Sequence, residues 1–307
     1  MRTKAIVLGI LLAGLSCLGT VPALGQEQDE DVRGAFLTTR PKAVDRKGSE
    51  TVKPNRRRPR TVQNKTSGSV SATATVTVKT TPVTDSKAGS QKLGLGLTLF
   101  TRNSLGLAVR VDPTHVFHKG DRVRVLLETN TDGYLYIFNT TDGGPPMMIY
   151  PNKDIDDGGN YLQSHVPIEI PSSGASEERL RWLAFDERAG VERLFFVFTR
   201  EPLANVPIED ELVAYCKGKE GGCNWDPSTD LWTQIQKEMA APVQTSIVQR
   251  TGKSQTSNEQ QSATRGIGLS KEDPPPALVT LTTSTSRNLL VATMDLIHQP
   301  AGSATNP

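Results

Sequence analysis

The sequence predicts a mainly β protein, an antiparallel β-sandwich with two ancillary helices, and three observations carry that expectation. Over residues 122–128 the apolar Val123, Val125 and Leu127 alternate with Arg122, Arg124 and Glu128, the period-two pattern of a strand with one dry face; Leu126 is the exception. Residues 134–138 and 194–198 are apolar or aromatic on both faces, as central strands covered twice must be. Between such runs, Asn130 to Gly133, Asp142 to Gly144 and Asp186 to Gly190 supply the Asn, Asp and Gly that tight reversals need.

The chain has 307 residues and a formal net charge of +2, so no global field points to nucleic acid or to an acidic partner. Residues 1–25 have the parts of a secretory signal: basic Arg2 and Lys4, an apolar run over 5–18, and small residues that suit cleavage between Gly25 and Gln26. The apolar run is shorter than the about 20 residues a spanning helix needs, so the expectation is export to the periplasm or beyond, with no transmembrane span retained. Cys17 offers a lipoprotein alternative, but Gly14 stands where that signal usually has leucine.

Residues 26–92 are rich in Ser, Thr, Lys, Arg and Pro, and read as a disordered tether that buries too little apolar area to offset its ordering entropy. Within it Lys53 to Arg60 is strongly basic. It reads either as a weak electrostatic contact for an anionic polymer or membrane surface, or as a solvated linker. Residues 70–84 alternate Val or Ala with Ser and Thr and are kept as linker, a candidate for glycosylation.

The folded unit is expected over 93–241 and 278–298. Strands at 93–102 and 107–111 flank a turn at Asn103 and Ser104; 122–128 and 134–138 form a hairpin, followed by 147–150. Residues 166–170 lie between Pro167 and Pro171 as an edge strand would, and 182–185 pairs with 191–199. One helix starts at Pro207 with Ile208, Leu212 and Tyr215 on a single face. A second is capped by Asp226, begins at Pro227 and buries Leu231, Ile235 and Met239 beside Trp232. Residues 242–277 read as a disordered loop, 278–281 and 289–297 as a hairpin around Ser284 to Arg287, and 299–307 as a tail.

With Cys17 lost in the signal, Cys216 and Cys223 remain, and in an oxidising compartment they are expected to pair. The fragments that look like chemistry are incomplete. Gly252-Lys253-Ser254 lacks the earlier glycine of a phosphate loop, since Ile247 holds that place, and Gly94-Leu95-Gly96 lacks the third glycine of a dinucleotide fingerprint. Asp154, Asp156 and Asp157 before Gly158 and Gly159 are weak calcium candidates without the closing bidentate acid, set against a turn whose aspartates satisfy the backbone. His115 and His118 follow Pro113 and have no third ligand. Glu128, Glu169, Asp186, Glu187 and Glu192 are acids that a glycoside hydrolase would have to bring together, and nothing in the sequence marks a pair. No cofactor and no catalytic residue are assigned.

One resemblance emerges from ordered motifs: Gly120-Asp121, then Gly133-Tyr134-Leu135-Tyr136, then Tyr150-Pro151-Asn152, then Gly190-Val191-Glu192-Arg193. With Asn160 to Leu162, Ile170-Pro171 and Pro202-Leu203, these resemble the bacterial family called domain of unknown function 4384, over about 93–205. The resemblance implies a β-rich module with no agreed catalytic residues, found behind signal peptides or attached to caspase-like and kinase-like domains. The expectation is an exported, non-catalytic module that binds a protein or glycan of the cell envelope. The alternatives are an envelope hydrolase using carboxylates on one sheet face and a spacer whose basic arm holds anionic polymer.

Overall fold

A computed structural model of the 307-residue chain describes residues 24–43, 54–59, 91–219 and 223–300; the side chains of 24–29 and of Asp157 are not described. In chain order the elements are α1 (Leu24–Leu37), β1 (Gly94–Arg102), β2 (Ala108–Arg110), β3 (Val116–His118), β4 (Arg122–Thr129), β5 (Gly133–Thr141), β6 (Met147–Tyr150), β7 (Tyr161–Leu162), β8 (Ile168–Ile170) and β9 (Leu183–Ala184). There follow β10 (Gly190–Thr199), α2 (Glu209–Cys216), α3 (Thr229–Met239), β11 (Val243–Ile247), α4 (Ser257–Arg265), β12 (Leu278–Thr282) and β13 (Leu289–Gln299). Short 3-10 turns lie at Asp156–Gly158 and Glu178–Arg181.

Two sheets face one another, as the sandwich expectation requires. The first runs β11-β12-β1-β4-β8, with β2 sharing the β12 edge of β1 and β9 the β8 edge of β4. The second runs β3-β13-β10-β5-β6, with β7 beside β5; only the β3–β13 pair is parallel. Between them lie Leu95, Leu97, Leu99, Val123, Val125 and Leu127 of the first sheet, against Leu135, Ile137, Phe196, Phe198, Leu290 and Met294 of the second. This is the alternation of the sequence made physical: one residue in two enters a shared dry layer.

The strands predicted to be covered twice are so covered. On the outer face of the second sheet Tyr136, Phe138, Phe195 and Val197 pack beneath Leu212 of α2 and Ile235 and Trp232 of α3. On the outer face of the first sheet Val279 and Leu281 meet Val32 and Phe36 of α1, and Phe100, Leu126 and Trp182 meet Ala263 of α4. Leu126, the exception in its strand, is thereby explained.

Several expectations are corrected. Among the described residues four helices cover the sandwich, not two. The supposed tether contains α1 and a docked segment at 54–59, and the supposed loop at 242–277 contains β11 and α4. Strands β4 and β5 do not pair: β4 lies in the first sheet and β5 in the second, joined by Asn130 to Asp132. The same holds for β9 and β10, and for β12 and β13. Alternation specifies which face a strand buries but not which strand lies beside it, so adjacency in sequence misled in all three cases. In α2 Tyr215 is exposed and Cys216 buried, and in α3 Met239 is exposed. The cap of α3 is Ser228, whose hydroxyl accepts from the Leu231 amide at 3.3 Å, in place of Asp226. The signal segment before Leu24, Cys17, the linker stretch 70–84 and the tail beyond Pro300 lie outside the described residues, while the expected cleavage point at Gly25 and Gln26 falls on the backbone of α1.

Candidate functional site

A cleft of about 640 Å³ runs along the β8 edge of the first sheet. Its walls come from Arg56, from Asp154 and Asp156, from Glu169 of β8, from Leu180, and from Thr264 and Arg265 at the end of α4. Alternation positions Glu169: Ile168 and Ile170 face the core, so the residue between them faces outward. Its carboxylate is already engaged, accepting from the Ser173 amide at 3.0 Å on one oxygen and from the Gln255 side chain on the other. Arg124, next to it in the fold, lies over the Trp182 ring at 4.0 Å, and burial lowers its pKa.

One wall of the cleft is the segment 54–59. Arg56 is 3% exposed; its guanidinium donates to the carbonyls of Val166 (3.4 Å) and Pro167 (2.8 Å), and its Nε lies 3.9 Å from Asp156. Burial lowers the pKa of this arginine, opposed by Tyr150 and Asp156. Arg57 pairs with Asp210 at 2.9 Å and Arg58 with Glu209 at 3.3 Å. Arg57 and Arg58, in the tract weighed as a contact for an anionic surface or as a solvated linker, are therefore paired with acids of their own domain, and Lys53 and Arg60 lie outside the described residues.

Above the first sheet lies a buried polar constellation that the sequence did not disclose. Arg40 donates to both oxygens of Glu128 at 2.8 and 2.6 Å, and to the carbonyls of Ser270, Asp273 and Pro274. His165 Nδ1 lies 2.7 Å from Glu128 and its Nε2 2.7 Å from the Thr39 hydroxyl, an order that looks like a catalytic triad. Yet His165 is buried, and the Thr39 hydroxyl donates to the Phe36 carbonyl at 2.6 Å, so the set clamps the end of α1 to the sheet. A second buried pair, Arg110 with Glu259, ties β2 to α4. Here a signal was present: Thr256-Ser-Asn-Glu259 is a capping box, and both of its reciprocal bonds form. For α1 the signal was Val32 and Phe36 at i and i+4.

The family-motif residues hold the frame. Gly120 has φ 87° in a turn where Asp121 accepts from the His118 amide at 2.8 Å. A Cβ on Gly133 would lie 2.4 Å from the Thr199 carbonyl oxygen. Tyr134 meets the Tyr161 ring edge-on, and the Tyr136 hydroxyl accepts from the Leu203 amide. Tyr150, fully buried, donates to the Gly159 carbonyl at 3.1 Å and precedes cis Pro151; Asn152 accepts from the Asp154 amide. Gly190 passes close to Asp142, and Glu192 accepts from Asn139 and Thr141. Cys216 and Cys223 are bonded to each other.

Of the calcium candidates, Asp154 pairs with Lys153 and Asp156 faces Arg56; among the described residues no group of three or more His, Cys, Asp or Glu is placed to hold a metal ion. The acids weighed for hydrolysis divide between places: Glu128 and Glu169 face outward on the first sheet, Asp186 and Glu187 pair with Arg188 and Lys119, and Glu192 is on the second sheet. Gly252 to Ser254 form an edge along β2, with Ser254 bridged to Val109.

Residues 116–202 match the family described as Domain of unknown function (DUF4384), which spans β3 to the end of β10 and includes most of the cleft. No curated protein and no solved structure matches the chain. Among the described residues no helix is long and apolar enough to cross a membrane.

Proposed function

Taking the family match over residues 116–202 as the premise, we propose that this protein is an exported, non-catalytic module that binds a protein or glycan of the cell envelope in the cleft beside β8. One observation carries the reading: Glu169 and Arg56, the buried ionisable groups of the cleft wall, are held by neighbours within the fold. Glu169 is bonded on both oxygens, and Arg56 is spread over two carbonyls and Asp156. Groups fixed in this way shape a surface and supply oriented polarity. A general acid or base needs a free lone pair or proton within reach of substrate. Leu180, 48% exposed on the rim, adds an apolar contact. The Cys216–Cys223 bond and the absence of a spanning helix among the described residues are compatible with export.

The test is site-specific photo-crosslinking in envelope extracts, with the probe at Leu180 or Thr264 of the full chain and a control probe at Lys237 on α3. A partner captured from the cleft positions alone supports the reading. The alternative of hydrolysis is favoured by one feature, the presence of Asp154, Asp156 and Glu169 on the same cleft. Turnover of a wall fragment or peptide by the purified protein, abolished by Glu169→Gln, would establish it and end the binding-only reading.

A further inference from the structure

We propose that the groove between β7 and the first turn of α2 is a receptor site for an extended arginine-rich peptide, which this chain fills with its own residues 54–59. Arg56 and Asp156 belong both to this groove and to the wall of the cleft beside β8, but the inference does not rest on what that cleft binds.

Four features of the groove match such a guest. First, the guest adds to a strand edge: the Tyr161 amide of β7 donates to the Arg56 carbonyl at 2.8 Å. Second, the floor lacks a side chain where the guest backbone passes, since a Cβ on Gly159 would stand 2.6 Å from the Arg56 oxygen. Third, one deep seat takes a guanidinium, with the Val166 and Pro167 carbonyls and Asp156 around the buried Arg56 head. Fourth, two carboxylates at the start of α2 take the next two residues: Asp210 receives Arg57, and Glu209 receives both the backbone amide and the Nε of Arg58. Main-chain pairing for affinity and side-chain seats for selection are the physics of peptide recognition by strand addition. Arginine suits the deep seat because its planar fork presents donors on separate nitrogens in a fixed geometry, whereas a lysine's three donors share one compact, strongly hydrated atom.

Chain connectivity does not enforce this arrangement. Thirty-one residues (60–90) separate Pro59 from Gln91, where the described chain resumes. On the other side ten residues (44–53) separate Ala43 from Pro54, and at roughly 3.3 Å per residue the two spans reach at most about 35 and 100 Å, long enough to leave the register of the segment to its contacts in the groove. A segment tethered this way competes with outside peptides at an effective concentration of order millimolar. The groove of the intact chain is thus mostly closed to a guest, and weakening the segment should open it.

The experiment uses the full chain and a fluorescent peptide, Lys-Pro-Asn-Arg-Arg-Arg-Pro-Arg, followed by anisotropy. R56A R57A R58A should bind the peptide about ten-fold or more tighter than the unaltered protein, because the internal competitor is gone. Adding Glu209→Gln and Asp210→Asn should weaken that binding about ten-fold, and raising the salt should weaken it further. Gly159→Val in the same background should abolish it. If the triple variant loses its near-ultraviolet circular dichroism, R57A R58A, which keeps the buried Arg56, is titrated instead, and a gain over the unaltered protein is still expected. No gain in either variant, or binding indifferent to Glu209, Asp210 and Gly159, overturns the proposal.

Discussion

Replacing Arg40 by alanine tests whether α1 and the residues after it belong to the folded body. Arg40 is 2% exposed, and its guanidinium makes two bonds to Glu128 and three to the carbonyls of Ser270, Asp273 and Pro274. Its removal leaves a buried carboxylate with His165 beside it and takes one donor from each of the Ser270, Asp273 and Pro274 carbonyls, of which Ser270 keeps the Asp273 amide. Breaking a buried pair from one side costs about 3–5 kcal/mol. For a body of about 200 residues that corresponds to a fall of roughly 6–20 °C in the thermal midpoint. The assay is urea unfolding followed by tryptophan fluorescence, compared at constant m-value. Arg40→Met combined with Glu128→Leu should recover part of the loss, because an apolar pair of similar volume leaves no stranded charge. A midpoint for Arg40→Ala within about 0.5 kcal/mol of the unaltered protein, the range of ordinary surface changes, would refute the docking of this segment.

Three further outcomes follow from single positions. Gly133→Ala forces a Cβ to 2.4 Å from the Thr199 carbonyl across the β5–β10 pair; it should cost at least about 1–3 kcal/mol in denaturation, and a neutral result would contradict that close approach. Cys216→Ser with Cys223→Ser opens a loop of sequence separation 7 and should lower stability by about 2–3 kcal/mol, matched by adding a reductant to the unaltered protein. Burial pushes the Tyr150 phenol well above its ordinary range, the charge of Asp156 adding and that of Arg56 opposing. A phenol raised on folding stabilises fully below its unfolded value of about 10, and that stability is lost as pH rises from there through the folded value. Urea midpoints should therefore decline above about pH 10. In Tyr150→Phe the decline should be shallower, because Tyr161, raised by burial and by Asp132, keeps its share. At neutral pH the variant loses about 1 kcal/mol with the bond to Gly159.

Much of the candidate site was hidden from sequence reasoning for a definable reason. Glu169 was visible as an outward residue of an edge strand, and Asp154 and Asp156 as a turn before glycines. Nothing local tied them to Arg56, more than 90 residues earlier, or to Gln255, 86 residues later. The basic tract reads as a surface contact or a solvated linker because composition reports charge and not its partner. Glu209 and Asp210, which hold it, were visible only as a helix start.

By itself the sequence determined the faces. Period-two alternation in β1 and β4 and the doubly apolar runs of β5 and β10 dictate which side chains must leave water, and hence a sandwich with covered outer faces. The tertiary structure alone decided the neighbours: that β4 lies in one sheet and β5 in the other, that α1 and α4 cover the first sheet, and that residues 54–59 fill a groove. The physical reason is that burial of apolar area is non-directional and readable locally, whereas pairing across long separations depends on which edges, carbonyls and carboxylates remain open once the rest of the chain has packed.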